Sequence, residues 1–304
     1  MAKVTFDNSN ALAFAGVDAE MVKAADAAAE LLYNGQGAGN DFLIADNRDG
    51  SIVLSKDQIA SICDRRYGVG ADGLMLLESC DGYDFRMVYY NSDGSGGMMC
   101  GNGGRCIVAF AADMGLDKFD FDAADGFHTA QILKDENGVK TVRLKMKDVS
   151  EICRYEALEG VSAPSEGYFL DTGARHYVRF VKDLKEYDIV SEGREIRYNA
   201  SQLQPVGVNV NFVEHSDGLI NVRTYEKGVE DETYACGTGI VASCIAAFKA
   251  GVKPSMIGQD GRVHFDVHAK KDVLAVDFIP MAPACDVWLT GPAVYVAAIT
   301  YGFN

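Results

Sequence analysis

The chain predicts an α+β protein built from two similar domains. Two observations carry that prediction. Short apolar runs of strand character outnumber longer helical ones, and one layout of strand, polar turn, Cys-Gly-x-Gly and apolar helix occurs twice. A length of 304 residues accommodates two domains of ordinary size, and 48% apolar residues suffice to bury a core in each.

At the start of the chain, the Ala-rich stretch Ala24–Leu32 reads as helix by propensity. After Gly35 the texture changes to apolar runs broken by turn residues. Strands are expected at Phe42–Ala45, Gly73–Leu77, Phe85–Tyr90, Val139–Met146, Tyr177–Val181, Asn209–Val213, Leu219–Thr224, Arg262–Val267, Val273–Phe278 and Val294–Thr300. Period-2 alternation or enrichment in Val, Ile and Tyr supports most of them. The two longer helical candidates, Gly101–Met114 and Gly237–Ala250, each open directly after a cysteine. In the first half, strand Phe85–Tyr90 leads through Asn91-Ser-Asp-Gly to Cys100-Gly-Asn-Gly. In the second, strand Asn221–Tyr225 leads through Glu226-Lys-Gly to Cys236-Gly-Thr-Gly.

With 44 acidic against 28 basic residues, the formal charge of −16 argues against nucleic acid and anionic membrane surfaces as partners. No run approaches the roughly 20 apolar residues of a spanning helix, and no secretory signal is apparent. The eight cysteines form no Cys-x-x-Cys pair and lack His at zinc-ligand spacing. Reduced thiols in the cytoplasm and no structural metal are therefore expected.

A helix N-terminus favours a thiolate over a thiol whose free pKa is about 8.5, and flanking glycines let backbone N–H groups approach an anion. Two such termini would cradle one carboxylate with a sulfur on each side of the adjacent carbon. One thiolate would remove the α-proton, the opposing thiol would return a proton to the other face, and backbone donors would stabilise the enediolate charge. A single Cys-Gly-x-Gly is more often structural; a matched pair changes that reading. Cys106 and Cys244, inside the two apolar helices, read as core thiols. Cys63, Cys80, Cys153 and Cys285 read as packing residues.

Eight segments together resemble the diaminopimelate epimerase family. They are Gly37-Ala-Gly-Asn40-Asp-Phe, Gly68-Val-Gly-Ala-Asp72-Gly, Asn91-Ser-Asp-Gly-Ser and Met99-Cys100-Gly-Asn-Gly-Gly-Arg-Cys in the first half. The second half supplies Val208-Asn209-Val-Asn-Phe, Tyr225-Glu226-Lys-Gly, Ala235-Cys236-Gly-Thr-Gly and Trp288-Leu-Thr-Gly-Pro292-Ala. The resemblance covers roughly residues 35–304. It implies two pseudo-symmetric α+β domains, each a curled, mainly antiparallel sheet wrapped around a central helix. The first would span residues 1–148 plus 293–304 and the second 149–292, with the active site in the cleft between them.

The implied reaction interconverts LL- and meso-2,6-diaminopimelate in lysine and peptidoglycan-precursor biosynthesis, without pyridoxal phosphate or metal, in a homodimer. Cys100 and Cys236 match the catalytic thiols. Asn40, Asn91 and Asn209 match substrate-binding amides, and Gly101 with Asn102 and Gly237 with Thr238 match the carboxylate cradle. Glu226 matches a site carboxylate and His176 a histidine that influences the thiol pKa values. Read alone, the asparagines are turn or cap residues and His176 a strand-end histidine.

The sequence departs from the family pattern at four places. Lys227 stands where Arg is usual, Gly173-Ala174-Arg175-His176 replaces Gly-Asn-Pro-His, and Gly73 stands where many members have Gln. These positions serve the far end of the substrate, and Arg175 or Lys227 would supply its cation. The fourth is the N-terminal extension, which resembles the opening of bacterial glucose-6-phosphate isomerase and shares Gly-Ala-Gly-Asn-Asp-Phe with it; nothing else in the chain does.

Three alternatives stay open. One is a racemase or epimerase of another amino acid, such as the proline racemase group, although Asn102 stands where that group has His. The phenazine-biosynthesis isomerase relatives carry a carboxylate in place of Cys100. The others are a non-catalytic amino-acid binding protein and a thiol redox protein.

Overall fold

The computed structural model describes residues 3–5, 29–97, 99–162, 166–216, 219–281 and 283–302. The chain divides into two units, residues 1–142 with 292–304 and residues 143–291, where the sequence reading placed the boundaries at 148/149 and 292/293. The first contains β1 (Lys3–Thr5), β2 (Ala29–Gly37), β3 (Asn40–Asp46), α1 (Lys56–Cys63), β4 (Gly73–Glu78) and β5 (Phe85–Asn91). It continues with α2 (Gly101–Asp113), β6 (Asp120–Ala123), β7 (Gly126–Glu136) and the start of β8 (Val139–Lys145).

The second unit contains β9 (Ile152–Tyr155), β10 (Gly167–Asp171), β11 (Arg175–Phe180), α3 (Ile189–Asn199), β12 (Asn209–Ser216) and β13 (Leu219–Glu226). After β14 (Asp231–Thr233) come α4 (Gly237–Lys249), β15 (Met256–Ile257), β16 (Val263–His268) and β17 (Val273–Ile279). The long strand β18 (Cys285–Gly302) contributes its first part to the second unit and, from Pro292, its remainder to the first.

The two units have the same strand logic. In the first, β2 runs antiparallel to β3, β3 parallel to β4, β4 antiparallel to β5, β5 parallel to β6 and β6 antiparallel to β7. In the second, β10, β11, β12, β13, β16 and β17 repeat that alternation in that order. Each parallel step needs a crossover, and a helix supplies it: α1 and α2 in the first unit, α3 and α4 in the second. The repeated cysteine layout is thus one half of a larger repeated topology.

Each unit wraps its sheet around one helix. Helix α2 packs on β2, β3, β4 and β7, and α4 packs on β10, β11, β12, β13 and β17. Both are apolar on nearly every side because they are covered on nearly every side: Gly101–Ala111 and Gly239–Ala247 are buried throughout. The other face of each sheet is covered by the remaining helix. Leu43, Ala45, Leu74 and Leu76 pack with Ile59 and Ile62 of α1, while Val210, Phe212 and Tyr225 pack with Ile189 and Ile196 of α3. Strands covered on both faces read as unbroken apolar runs, which explains Phe42–Ala45 and Gly73–Leu77.

One sequence expectation fails. Ala24–Leu32 is predicted helical, but Ala29–Leu32 belongs to β2 and pairs antiparallel with β18; residues 24–28 lie outside the described part. Helix propensity in this stretch is worth only a few tenths of a kcal/mol per residue. Pairing with β18, and complete burial of Leu32, outweigh it. Among the described residues, no helix is long and apolar enough to cross a membrane.

Candidate active site

In the first unit, Cys100 is the N-cap of α2. Its extended backbone (φ −118°, ψ 143°) turns the sulfur back over the helix start, where it accepts a hydrogen bond from the Gly103 N–H at 3.2 Å. This satisfies one of the four amides that a helix N-terminus leaves without an intrahelical partner. Next to it, Asn102 donates to Asn40 Oδ1 at 2.7 Å, and Asn40 donates to Asp72 Oδ2 at 2.8 Å. Asp72 Oδ1 accepts from Arg65 at 2.6 Å, and the Asp72 carbonyl accepts from the Ser92 N–H.

On its other side, Asn102 Oδ1 accepts from Arg105, which also donates to the Gly101 and Pro292 carbonyls. Arg105 is fully buried, so these bonds replace its lost hydration. The result is one polar chain running through Arg65, Asp72, Asn40, Asn102 and Arg105 beneath the first turn of α2. Asn91 lies on β5 opposite Gly73, and its amide nitrogen donates to Ser95 Oγ and the Gly96 carbonyl within its own turn. Asn40 and Asn102 therefore touch, while Asn91 reaches the same group only through the backbone of Ser92.

In the second unit, Cys236 is the N-cap of α4, nearly buried, and its sulfur caps no backbone amide. It lies 3.4 Å from Thr238 Oγ1 instead. Thr238 Oγ1 is 2.9 Å from His176 Nε2, and His176 Nδ1 is 3.0 Å from Asn211 Nδ2. Asn211 also donates to the Tyr177 carbonyl and accepts from the Thr224 hydroxyl. Complete burial pushes the His176 imidazole down to about 3, so it is neutral at physiological pH.

Asn209 donates to the Arg175 carbonyl and accepts from the Lys227 N–H at 2.8 Å, fixing the turn that follows Glu226. The Lys227 side chain is exposed. Thr172 donates to the Thr238 carbonyl and ties the Gly173–Arg175 turn to α4. The residues His176, Cys236 and Thr238 are thus brought together, and Asn209 and Lys227 form a neighbouring pair.

The remaining cysteines offer a contrast. Cys106 and Cys244 are buried in the middle of α2 and α4, and burial pushes both thiols up, Cys106 to about 12. Cys63, the last residue of α1, is buried and pushed up to about 11, chiefly by desolvation. Cys153 is exposed, and Cys80 and Cys285 are half-buried.

Two departures from the family pattern have visible settings. A Cβ on Gly73 would lie 2.4 Å from the Tyr89 ring and 2.4 Å from the Tyr90 carbonyl, so the Tyr89 ring fills the space beside β4. Arg175 places its guanidinium 5.0 Å from the Phe169 ring centre. Four polar residues in these networks were given no role by the sequence reading, although Asp72, Arg105 and Asn211 stand within its motif segments: Arg105, Asp72, Asn211 and Thr172. Asn211 had a signal, because it stands two residues after Asn209 on a strand and so shares its face.

Solved structures share this architecture. A phenazine biosynthesis protein of the PhzF family from Bacillus anthracis matches with a TM-score of 0.67 at 15% identity, covering 90% of this chain and 99% of that one. A hydroxyproline epimerase from Agrobacterium vitis, solved with bound trans-4-hydroxy-L-proline, matches with a TM-score of 0.65 at 14% identity, covering 90% and 91%. At such identities the likeness shows the fold alone, the α+β fold of epimerases and PhzF-type proteins.

Sequence comparison narrows the assignment. The family model for diaminopimelate epimerase matches residues 32–150 and 168–276. The diaminopimelate epimerase of Chlorobaculum tepidum is 40% identical over 272 residues, which is 87% of this chain and 99% of the relative. That of Flavobacterium psychrophilum is 40% identical over 279 residues, 88% of this chain and 99% of the relative. The chain belongs to the diaminopimelate epimerase family, a family of isomerases.

Proposed function

We propose that this protein interconverts LL- and meso-2,6-diaminopimelate, with Cys100 and Cys236 as the two proton-transferring groups. One observation supports the reading above the others. In two topologically equivalent units, the N-cap of the buried central helix is a cysteine, and both cysteines lie within the family match. A helix N-terminus stabilises a thiolate and attracts a carboxylate for the same electrostatic reason.

In this reading the α-carboxylate is held by backbone N–H groups at Gly101 and Asn102 and at Gly237 and Thr238. One thiolate takes the α-proton, negative charge spreads onto the carboxylate oxygens, and the other thiol delivers its proton to the opposite face. The thiolate and thiol exchange roles in the reverse direction, and neither metal nor pyridoxal group takes part in any step. Asn40 and Asn209 orient the site through their amide chains, with Asn91 and Glu226 as further substrate contacts. The exposed Lys227 supplies a cation for the distal carboxylate, since Arg175 is engaged with Phe169. The same reading makes the protein a cytoplasmic homodimer.

The test is turnover followed by chiral chromatography. Wild-type protein given LL-diaminopimelate is expected to produce the meso form, and Cys100→Ala and Cys236→Ala are each expected to lose at least ~10³-fold in rate. Conversion of proline or hydroxyproline but not diaminopimelate would overturn the substrate assignment.

A further inference from the structure

We infer that Asn211, His176 and Thr238 form a directed hydrogen-bond relay that ends on the Cys236 sulfur and stabilises its thiolate. The inference rests on the epimerase reading for its purpose, though its geometry stands apart from any substrate.

The direction of each bond follows from what its partners can do. The Asn211 amide has one atom 3.3 Å from the Tyr177 carbonyl, which only accepts, so that atom is Nδ2. Its Oδ1 accepts from the Thr224 hydroxyl at 2.9 Å, which is consistent with that orientation. The same Nδ2 lies 3.0 Å from His176 Nδ1, so Nδ1 is the bare nitrogen. A neutral imidazole with a bare Nδ1 carries its proton on Nε2. Nε2 therefore donates to Thr238 Oγ1 at 2.9 Å. A Cys236 thiolate can only accept, so against it the Thr238 hydroxyl hydrogen points to the sulfur 3.4 Å away.

Packing holds the relay in place. A Cβ on Gly239 would come within 2.3 Å of Asn211 Oδ1 and 3.2 Å of His176 Cε1, so only glycine lets α4 sit this close to the pair. His176 and Asn211 are both fully buried, which excludes competing water from most of the chain.

Charged groups on β10, β16 and β17 act on α4 and its partner His176. Asp171 on β10 faces His176 and is itself paired with Lys147. Asp277 on β17 and Asp266 on β16 act on Cys244, about two helical turns further along α4. Burial keeps His176 neutral through the physiological range, so the relay transmits a dipole and not a charge. Asn211, His176 and Thr238 are accordingly positioning residues, and the catalytic group they serve is Cys236.

The test reads Cys236 itself. Alkylation by iodoacetamide is followed against pH in wild type, Thr238→Val, Thr238→Ser and Asn211→Asp, with each cysteine quantified as its peptide by mass spectrometry. Thr238→Val keeps the backbone amide and the shape but removes the hydroxyl. Its Cys236 midpoint is expected about one pH unit higher, with roughly tenfold slower reaction at neutral pH. Thr238→Ser restores the hydroxyl and should retain the wild-type midpoint. Asn211→Asp puts an acceptor on Nδ1, reverses the imidazole tautomer and should match Thr238→Val. Cys100, capped by Gly103, is the internal reference.

A Thr238→Val profile identical to wild type at Cys236 would overturn the relay, whatever the turnover. A failure of Thr238→Ser to restore the profile would do the same. A shifted profile in a protein that does not epimerise diaminopimelate would leave the relay standing and remove the function proposed above.

Discussion

Cys100 and Cys236 open helices in equivalent places of two matched units, yet the groups around the two sulfurs differ in kind. Cys100 accepts a backbone N–H, and its neighbourhood is an ionic and amide chain from Arg65 to Arg105. Cys236 makes no side-chain cap bond to the first turn of α4, and it meets a hydroxyl backed by a neutral, buried imidazole. The repeated layout therefore conserves where each sulfur sits, and each unit has its own way of polarising it. A pair of bases that take turns as acid and base needs two tuned sulfurs, and nothing in that chemistry demands the same tuning device twice.

The largest expected effect comes from the glycine three residues after each cysteine. Gly239→Ala forces a methyl to 2.3 Å from Asn211 Oδ1, and is expected to cost about 2–4 kcal/mol and to disturb the Cys236 relay. Gly103→Ala meets Met75 Sδ at 3.3 Å and Cys100 Sγ at 3.5 Å, contacts that a flexible methionine accommodates, so it should cost below ~1 kcal/mol. Equal losses in the two variants, measured by chemical denaturation, would erase the contrast.

A smaller effect separates the units by pH. His176 titrates at about 3 in the fold against 6.5 unperturbed. The unfolded chain thus binds a proton as pH falls below about 6.5 while the folded chain does not, so this stability is full above that pH and drains away toward pH 3. Peptide-resolved hydrogen exchange at falling pH is expected to show α4 opening before α2, with the gap narrowed in His176→Gln. An unchanged order and gap in that variant would assign the acid sensitivity elsewhere.

The smallest effect is expected at Lys227. Its side chain is exposed and only its backbone is tied, to Asn209, so Lys227→Arg should change stability by no more than about 0.5 kcal/mol. It should also keep or lower the KM for diaminopimelate. A large rise in KM would show that the distal pocket is shaped around lysine.

What could be read in the sequence follows a physical line. The paired strand–turn–cysteine–helix layout was legible because both helices are buried on all sides and both strands before them carry period-2 patterns. Helix α1 was missed although Ser55 and Gln58 form a reciprocal capping box, since eight residues with three buried positions give a weak helical period. The start of β2 was misread because local composition favoured helix while the strand that pairs with it, β18, is remote in sequence. The polar chain of the first unit was invisible for the same reason: Arg105 bonds Pro292, and Asn102 bonds Asn40, across long stretches of chain. The tautomer of His176 depends on Asn211, whose spacing from Asn209 gives its face of the strand but not its partner.

The central claim is that two different sulfurs exchange protons with one carbon. The direct measurement follows LL-diaminopimelate in deuterium oxide at low conversion and locates deuterium at the α-carbon of each isomer. Two bases predict deuterium in the inverted product while the recovered substrate keeps its protium. Product that retains the substrate's own hydrogen would mean a single base serves both faces, and would contradict the account.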